Sequence, residues 1–158
     1  MGKMINYLRV TGPDINNGLG VRCTLWIAGC THHCEHCHNS WTWAYNQGKP
    51  LSQSLDEIRA FLNKSYIKGL TVSGGDPLDQ DGESLNELYD LLNIIKTEYP
   101  DKDIWIYTGF YYDDLNDAQL HVLQMCDVLI DGPYINDERD TTLPFRGSRN
   151  QNIIYLKT

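Results

Sequence analysis

The sequence predicts an α/β fold built on a mostly parallel sheet, and three observations carry that prediction. Short apolar runs rich in Val, Ile, Leu and aromatics alternate with longer amphipathic stretches. Strands separated by helices pair in parallel through right-handed crossovers. The unusual motifs of the chain each follow an apolar run, and in such folds the reactive groups gather on the loops at the strand ends. The length, 158 residues, suits one domain with a real core, residues 1–158, and no linker, repeat or low-complexity tract divides it.

Taken in order, the first strand is expected over residues 24–28, Thr24-Leu25-Trp26-Ile27-Ala28. Before it lies Asn16-Asn17-Gly18-Leu19-Gly20-Val21-Arg22, where Asn-Gly favours a hairpin turn. A helix is expected over Ser54–Leu62, with Ser54 as cap and Glu57 three residues later. A second strand covers residues 69–72. Residues 84–98 carry Leu85, Leu88, Leu91, Leu92 and Ile95 on one helical face, and Pro100 stops that helix. A third strand covers 104–107. The helix over 116–125 begins at the cap Asn116 and turns Leu120 and Leu123 inward. Strands over 128–130 and 153–156 complete the set. The cysteine loop follows strand one, Ser73-Gly74-Gly75-Asp76-Pro77 strand two, Thr108-Gly109 strand three and Asp131-Gly132-Pro133 strand four. One mouth should therefore collect all four loops.

Composition narrows the functional classes. Hydrophobic residues make up 41% and charged residues 22%, as in ordinary globular chains. A net charge of −8 argues against a nucleic-acid or anionic-membrane surface. No apolar run approaches the length of a membrane span, and the start shows no secretory leader. Met4 is a second candidate start, and the sequence leaves open whether Met1-Gly2-Lys3 is native. Five cysteines is an odd number, and Cys30, Cys34 and Cys37 crowd together, so a disulfide framework is not expected. A reducing, cytoplasmic compartment is. Cys126, before an apolar strand, reads as a small buried hydrophobe. Cys23, at the start of strand one, would have to reach far to join the triad.

The triad stands in Gly29-Cys30-Thr31-His32-His33-Cys34-Glu35-His36-Cys37-His38, a Cys-x3-Cys-x2-Cys spacing. Thiolates suit zinc or iron–sulfur clusters. A 4Fe–4S cluster normally takes four cysteines, so three leave one iron open to a small molecule. The alternative is a structural zinc with one of His32, His33, His36 or His38 as fourth ligand. Such sites more often use two separated ligand pairs, and no second pair follows, so iron–sulfur is favoured. Gly74 and Gly75 would let a ligand approach the backbone, and Asp76 suits an amino group rather than a phosphate; the competing reading is a tight strand-to-helix turn capped by Asp76. Trp41 and Trp43 are expected to shield the site. The late segment Phe145-Arg146-Gly147-Ser148-Arg149-Asn150-Gln151 is more polar than a turn requires.

These motifs together resemble the radical S-adenosylmethionine superfamily. Within it, Asn17-Gly18-Leu19-Gly20-Val21-Arg22, Trp105-Ile106-Tyr107-Thr108-Gly109 and Arg146-Gly147-Ser148-Arg149-Asn150-Gln151 resemble the activating enzymes of anaerobic ribonucleoside-triphosphate reductase. The resemblance implies a 4Fe-4S cluster on Cys30, Cys34 and Cys37, and S-adenosyl-L-methionine on its open iron. It implies a 5′-deoxyadenosyl radical that installs a glycyl radical on the large reductase subunit, with no catalytic side chain beyond cluster and cofactor. Gly74, Gly75 and Asp76 would cradle the methionine end, and His36, Cys37 and His38 would lie toward the adenine. His36 stands where the superfamily commonly has an aromatic carbocycle. Asp131 would contact the cofactor or a cation. A reducing electron donor such as flavodoxin is expected, and neither nucleic acid nor membrane. Five strands cannot close an eight-stranded barrel. The expected fold is thus an incomplete TIM-type β/α barrel, open on one side to admit a loop of another protein. The alternatives are an activator of pyruvate formate-lyase, a deazapurine synthase or a zinc-stabilised binding module.

Overall fold

A computed structural model describes residues 5–35, 37 and 40–156. Among these, seven strands form one sheet in the order β3-β1-β2-β4-β5-β6-β7. They are β1 (Asn6–Asp14), β2 (Arg22–Ile27), β3 (Lys49–Pro50), β4 (Gly69–Gly74), β5 (Asp103–Tyr107), β6 (Val128–Asp131) and β7 (Asn152–Tyr155). The helices are α1 (Ser54–Leu62), α2 (Gly82–Glu98) and α3 (Asp117–Leu123). β2, β4, β5 and β6 are parallel neighbours. Both ends of the sheet are antiparallel additions, and the sheet does not close on itself.

Each departure from the expected fold has a local cause. β1 carries no clear strand pattern in the sequence, because Gly12-Pro13 sits inside it and its pairing with β2 is shifted at two places, which blurs the period-two alternation. β3 is two residues long and holds Pro50 at an edge. β7, whose direction the sequence pattern does not set, runs antiparallel to β6. Residues 132–151 between them supply only a short 3-10 turn, Asn136–Glu138, so no crossover helix carries the chain back to the start of the sheet. Ser54 is not the cap of α1. A 3-10 turn, Leu51–Gln53, runs into the helix, and the Ser54 hydroxyl donates to Leu51 O at 2.7 Å. α2 starts earlier than expected, where the Asp81 carboxylate accepts from Ser84 N at 2.8 Å. Asn116 does cap α3, in a capping box with Gln119.

The core lies between one sheet face and the helices. Leu25, Ile27, Leu70, Val72, Ile104, Ile106 and Leu129 meet Ile58, Leu62, Leu85, Leu88, Leu92, Ile95 and Val122. Cys23 and Cys126 are fully buried in it, which removes both from any metal set near Cys30. Burial pushes the Cys23 thiol up to about 12.

The opposite face is polar at its base. Arg22 is fully buried there. Its Nε donates to Thr71 Oγ1 at 2.8 Å, and its Nη1 pairs with Asp103 at 2.7 Å. Thr71 in turn donates to Asn17 O at 2.6 Å. The Asn-Gly segment is therefore more than a hairpin turn: it packs beneath the sheet and forms a floor. A Cβ on Gly18 would sit 2.8 Å from the Arg22 side chain, at a φ of +140°. Beside that floor, Trp105, Val128 and Ile130 form a small apolar cluster with Tyr107, Phe145 and Ile153.

Candidate active site

A cavity of about 490 Å³ opens where β2, β4, β5 and β6 end. Cys30, Cys34 and Cys37 line it together with Gly74 and Gly75. Topology makes this meeting inevitable, because parallel neighbours deliver their following loops to the same edge. His36 and His38 lie outside the described residues, as do residues 1–4.

Cys30 is buried, and Cys34 and Cys37 are half-buried. Burial pushes the Cys30 thiol up to about 12 and raises that of Cys34 as well. A metal centre displaces those protons, so binding energy offsets the cost of holding thiolates there. The donor chemistry of three partly buried thiols lining one cavity fits an iron–sulfur cluster with one open iron. The zinc alternative finds less support. Ligand atoms of Cys30, His32 and Asp79 do approach within 4.8 Å of one another. However, Asp79 Oδ2 already accepts from Thr31 N at 2.6 Å and from its hydroxyl at 2.5 Å. His32 Nε2 is hydrogen-bonded to Asp76 at 2.7 Å. His33 stacks on Trp43, with ring centroids 4.3 Å apart.

The glycine turn departs from its expected reason. A Cβ on Gly75 would lie 2.3 Å from Gly29 O, and one on Gly74 would lie 2.3 Å from Ile27 O. Gly74 also has a φ of +124°. These glycines let the end of β4 press against the backbone entering the cysteine loop. Gly75 N donates to Ile27 O at 3.0 Å, and Asp76 N to Gly29 O at 2.7 Å. Close approach is the cause, as expected, but the approaching group is this chain's own backbone.

The two expected carboxylates do not line the cavity. Asp76 is almost fully buried. It accepts from His32 Nε2, from Thr108 Oγ1 at 2.9 and 3.0 Å, from Gly109 N at 2.8 Å and from Leu78 N at 2.9 Å. The Asp76–His32 bond holds the His32 imidazole above its usual range. Asp131, equally buried, accepts from Tyr112 N at 2.8 Å and from the Asn152 backbone and side chain at 3.1 Å each. Both carboxylates are thus engaged by this chain's own donors rather than presented to the cavity.

The far wall of the cavity was only half foreseen. Phe145, Arg146, Gly147 and Gln151 line it, as their excess polarity suggested. Gln151 ties the wall together: its Oε1 accepts from Gly147 N at 2.9 Å, and its Nε2 donates to Gly132 O at 3.0 Å. Tyr107 OH donates to Phe145 O at 2.5 Å. Arg139 and Leu143 also line the wall, and Tyr134, whose backbone bonds the Cys34 thiol, lines the cavity beside the cysteines; no periodicity or motif pointed to the three. Of the two tryptophans, Trp43 faces the cavity, while Trp41 packs on Trp26 beneath Arg9.

The family described as a 4Fe-4S single cluster domain matches residues 16–154. A protein of Escherichia coli strain K12 named anaerobic ribonucleoside-triphosphate reductase-activating protein is 41% identical over 156 residues, covering 97% of this chain and 100% of its own length. The protein of that name from Vibrio cholerae is 42% identical, covering 94% of this chain and 97% of its own. The one from Enterobacteria phage T4 is 39% identical, covering 94% and 93%.

Proposed function

The chain belongs to the family of anaerobic ribonucleoside-triphosphate reductase-activating proteins, and from that premise we propose that it installs a glycyl radical on the large subunit of that reductase. The observation that carries this reading is the placement of Cys30, Cys34 and Cys37 on one cavity rim, against the Gly74–Gly75 edge. When bound, a 4Fe-4S cluster and S-adenosyl-L-methionine would supply the chemistry, a one-electron reductive cleavage whose 5′-deoxyadenosyl radical takes a hydrogen atom from the target glycine.

This chain's own residues hold, orient and exclude water. Cys30, Cys34 and Cys37 would ligate three irons. The backbone at Gly74 and Gly75 borders the space for the methionine end. His36, Cys37 and His38 form the adenine side of the site in this reading. The wall from residue 139 to 147 closes the cavity opposite the cysteines. The unclosed sheet is in this reading a partial β/α barrel, whose open side admits the reductase segment bearing the glycine. The one-electron donor would be a reduced flavodoxin-type protein of the cytoplasm. No described helix is long and apolar enough to cross a membrane.

The decisive test mixes the anaerobically reconstituted, reduced protein with S-adenosyl-L-methionine and the reductase. A glycyl radical seen by electron paramagnetic resonance is the expected result. A colourless protein that retains zinc, or a reductase without a radical, would overturn the reading.

A further inference from the structure

The turn after β4 grips the first half of the cysteine loop at three residues, Gly29, Thr31 and His32. Asp76 N donates to Gly29 O at 2.7 Å. Asp79 Oδ2 receives both the Thr31 N–H at 2.6 Å and the Thr31 hydroxyl at 2.5 Å. Asp76 Oδ2 meets His32 Nε2 at 2.7 Å. Cys30 lies between these anchors. The same Asp76 carboxylate reaches sideways to Thr108 Oγ1 and Gly109 N at the end of β5. Tyr45 OH, donating to Asp79 O at 2.7 Å, braces the turn from the far end of the cysteine loop. Phe110 packs edge-on against the His32 ring, with centroids 4.5 Å apart.

We propose that Asp76 is a positioning residue and not a cofactor ligand: with Asp79 it clamps residues 29–32 onto the ends of β4 and β5, and so fixes Cys30 relative to the Gly74–Gly75 edge. The physical case is saturation. A carboxylate offers about four lone-pair sites, and Asp76 spends its two oxygens on His32, Thr108, Gly109 and Leu78. Nothing remains for an incoming ammonium group without breaking a buried bond. The consequence for function, which rests on the activating reading above, is preorganisation. A chelated cofactor must meet an iron held by the cysteine loop and a backbone edge supplied by β4 at a set separation, and the clamp sets it.

The test separates the clamp from the activating reading. In the cluster-free full chain, alkylation of Cys30 is followed by mass spectrometry in wild type, His32→Ala and His32→Gln. His32→Ala should alkylate about tenfold faster, and His32→Gln, which keeps an N–H donor for Asp76, should return toward wild type. In the reconstituted chain, iron and sulfide should stay near wild type in His32→Ala and Thr108→Val. Affinity for S-adenosyl-L-methionine should fall about tenfold, with a changed resonance spectrum of the reduced cluster on cofactor addition. Unchanged Cys30 reactivity in His32→Ala would overturn the clamp. So would normal cofactor affinity in both variants beside its loss in a folded, cluster-bearing Asp76→Asn chain, because that pattern puts the carboxylate on the cofactor. If wild type itself ignores the cofactor, the activating reading fails, and the alkylation result still decides the clamp.

Discussion

The ends of β4 and β6 present the same chemistry and use it differently. Each ends at or beside a buried aspartate within a glycine- and proline-bearing turn, Gly74-Gly75-Asp76-Pro77 in one case and Asp131-Gly132-Pro133 in the other. Asp76 gathers donors from the cysteine loop, from Thr108 and Gly109 at the start of the loop after β5, and from its own turn. Asp131 gathers donors from Tyr112, in the loop after β5, and from Asn152, the first residue of β7. One carboxylate thus stiffens the first half of the cysteine loop, and the other stiffens the root of the segment that passes Cys34 at Tyr134 on its way to the wall. A strand-end aspartate in an α/β sheet is therefore not a functional group by position. What it does follows from which loops its oxygens can reach.

The strongest way to break this comparison is Asp76→Asn. The amide would point a donor at donors, and the buried Leu78 and Gly109 amides would compete for what acceptor remains, while His32 on the cavity wall would lose its anchor. Leaving donors to a buried charged group unsatisfied costs about 3 kcal/mol. Denaturant unfolding of the cluster-free chain should show a clear drop in midpoint. A midpoint unchanged within error would mean that the carboxylate does not hold the loop. Gly75→Val ranks next. Its Cβ meets backbone, Gly29 O at 2.3 Å, and backbone cannot swing aside as a side chain can. Overpacking of this kind costs about 3 kcal/mol, and here it should also lower iron and sulfide content by parting β4 from the cysteine loop. Full cluster content with weaker cofactor binding alone would restore the idea that these glycines make room for a ligand.

Asp131→Asn should be milder, about 1.5 kcal/mol, because its partners are two backbone amides and the Asn152 side chain, with no cation among them. Iron and sulfide should remain at wild-type levels. If Asp131→Asn instead emptied the cluster site, the division of labour between the two carboxylates would be wrong.

These contrasts also mark where the sequence was legible. The parallel strands β2, β4, β5 and β6 and all three helices followed from apolar periodicity, because each buries a regular face. β1 did not, since its faces are irregular and Gly12-Pro13 imitates a turn. The direction of β7 did not either, because nothing in residues 132–151 states how a helix-free connection will return. Within the site, the cysteines and glycines were visible through their spacing. The partners of Asp76 were not: His32 lies 44 positions upstream and Thr108 lies 32 downstream, and no local pattern encodes a hydrogen bond across such distances. Tyr134, Arg139 and Leu143 reach the cavity only because β6 and β7 pin both ends of their segment.

The wall supplies the smallest expected effect on stability and the sharpest functional one. Arg146 lines the cavity and is half-buried, and its guanidinium donates to Pro144 O at 3.2 Å. Its Nε is buried without a partner among the described residues. Removing a side chain so lightly tied should change unfolding by no more than about 0.5 kcal/mol. Arg146→Ala should therefore keep fold and cluster while lowering the glycyl-radical yield on the reductase. Cofactor cleavage measured without the reductase locates the cause. Loss of cleavage would put the guanidinium at the cofactor, where the methionine carboxylate is its natural partner. Normal cleavage with poor radical transfer would put it on the face that receives the protein substrate. A full radical yield would reduce the wall to a passive cover, and the two halves of the cavity would then differ in function as well as in fastening.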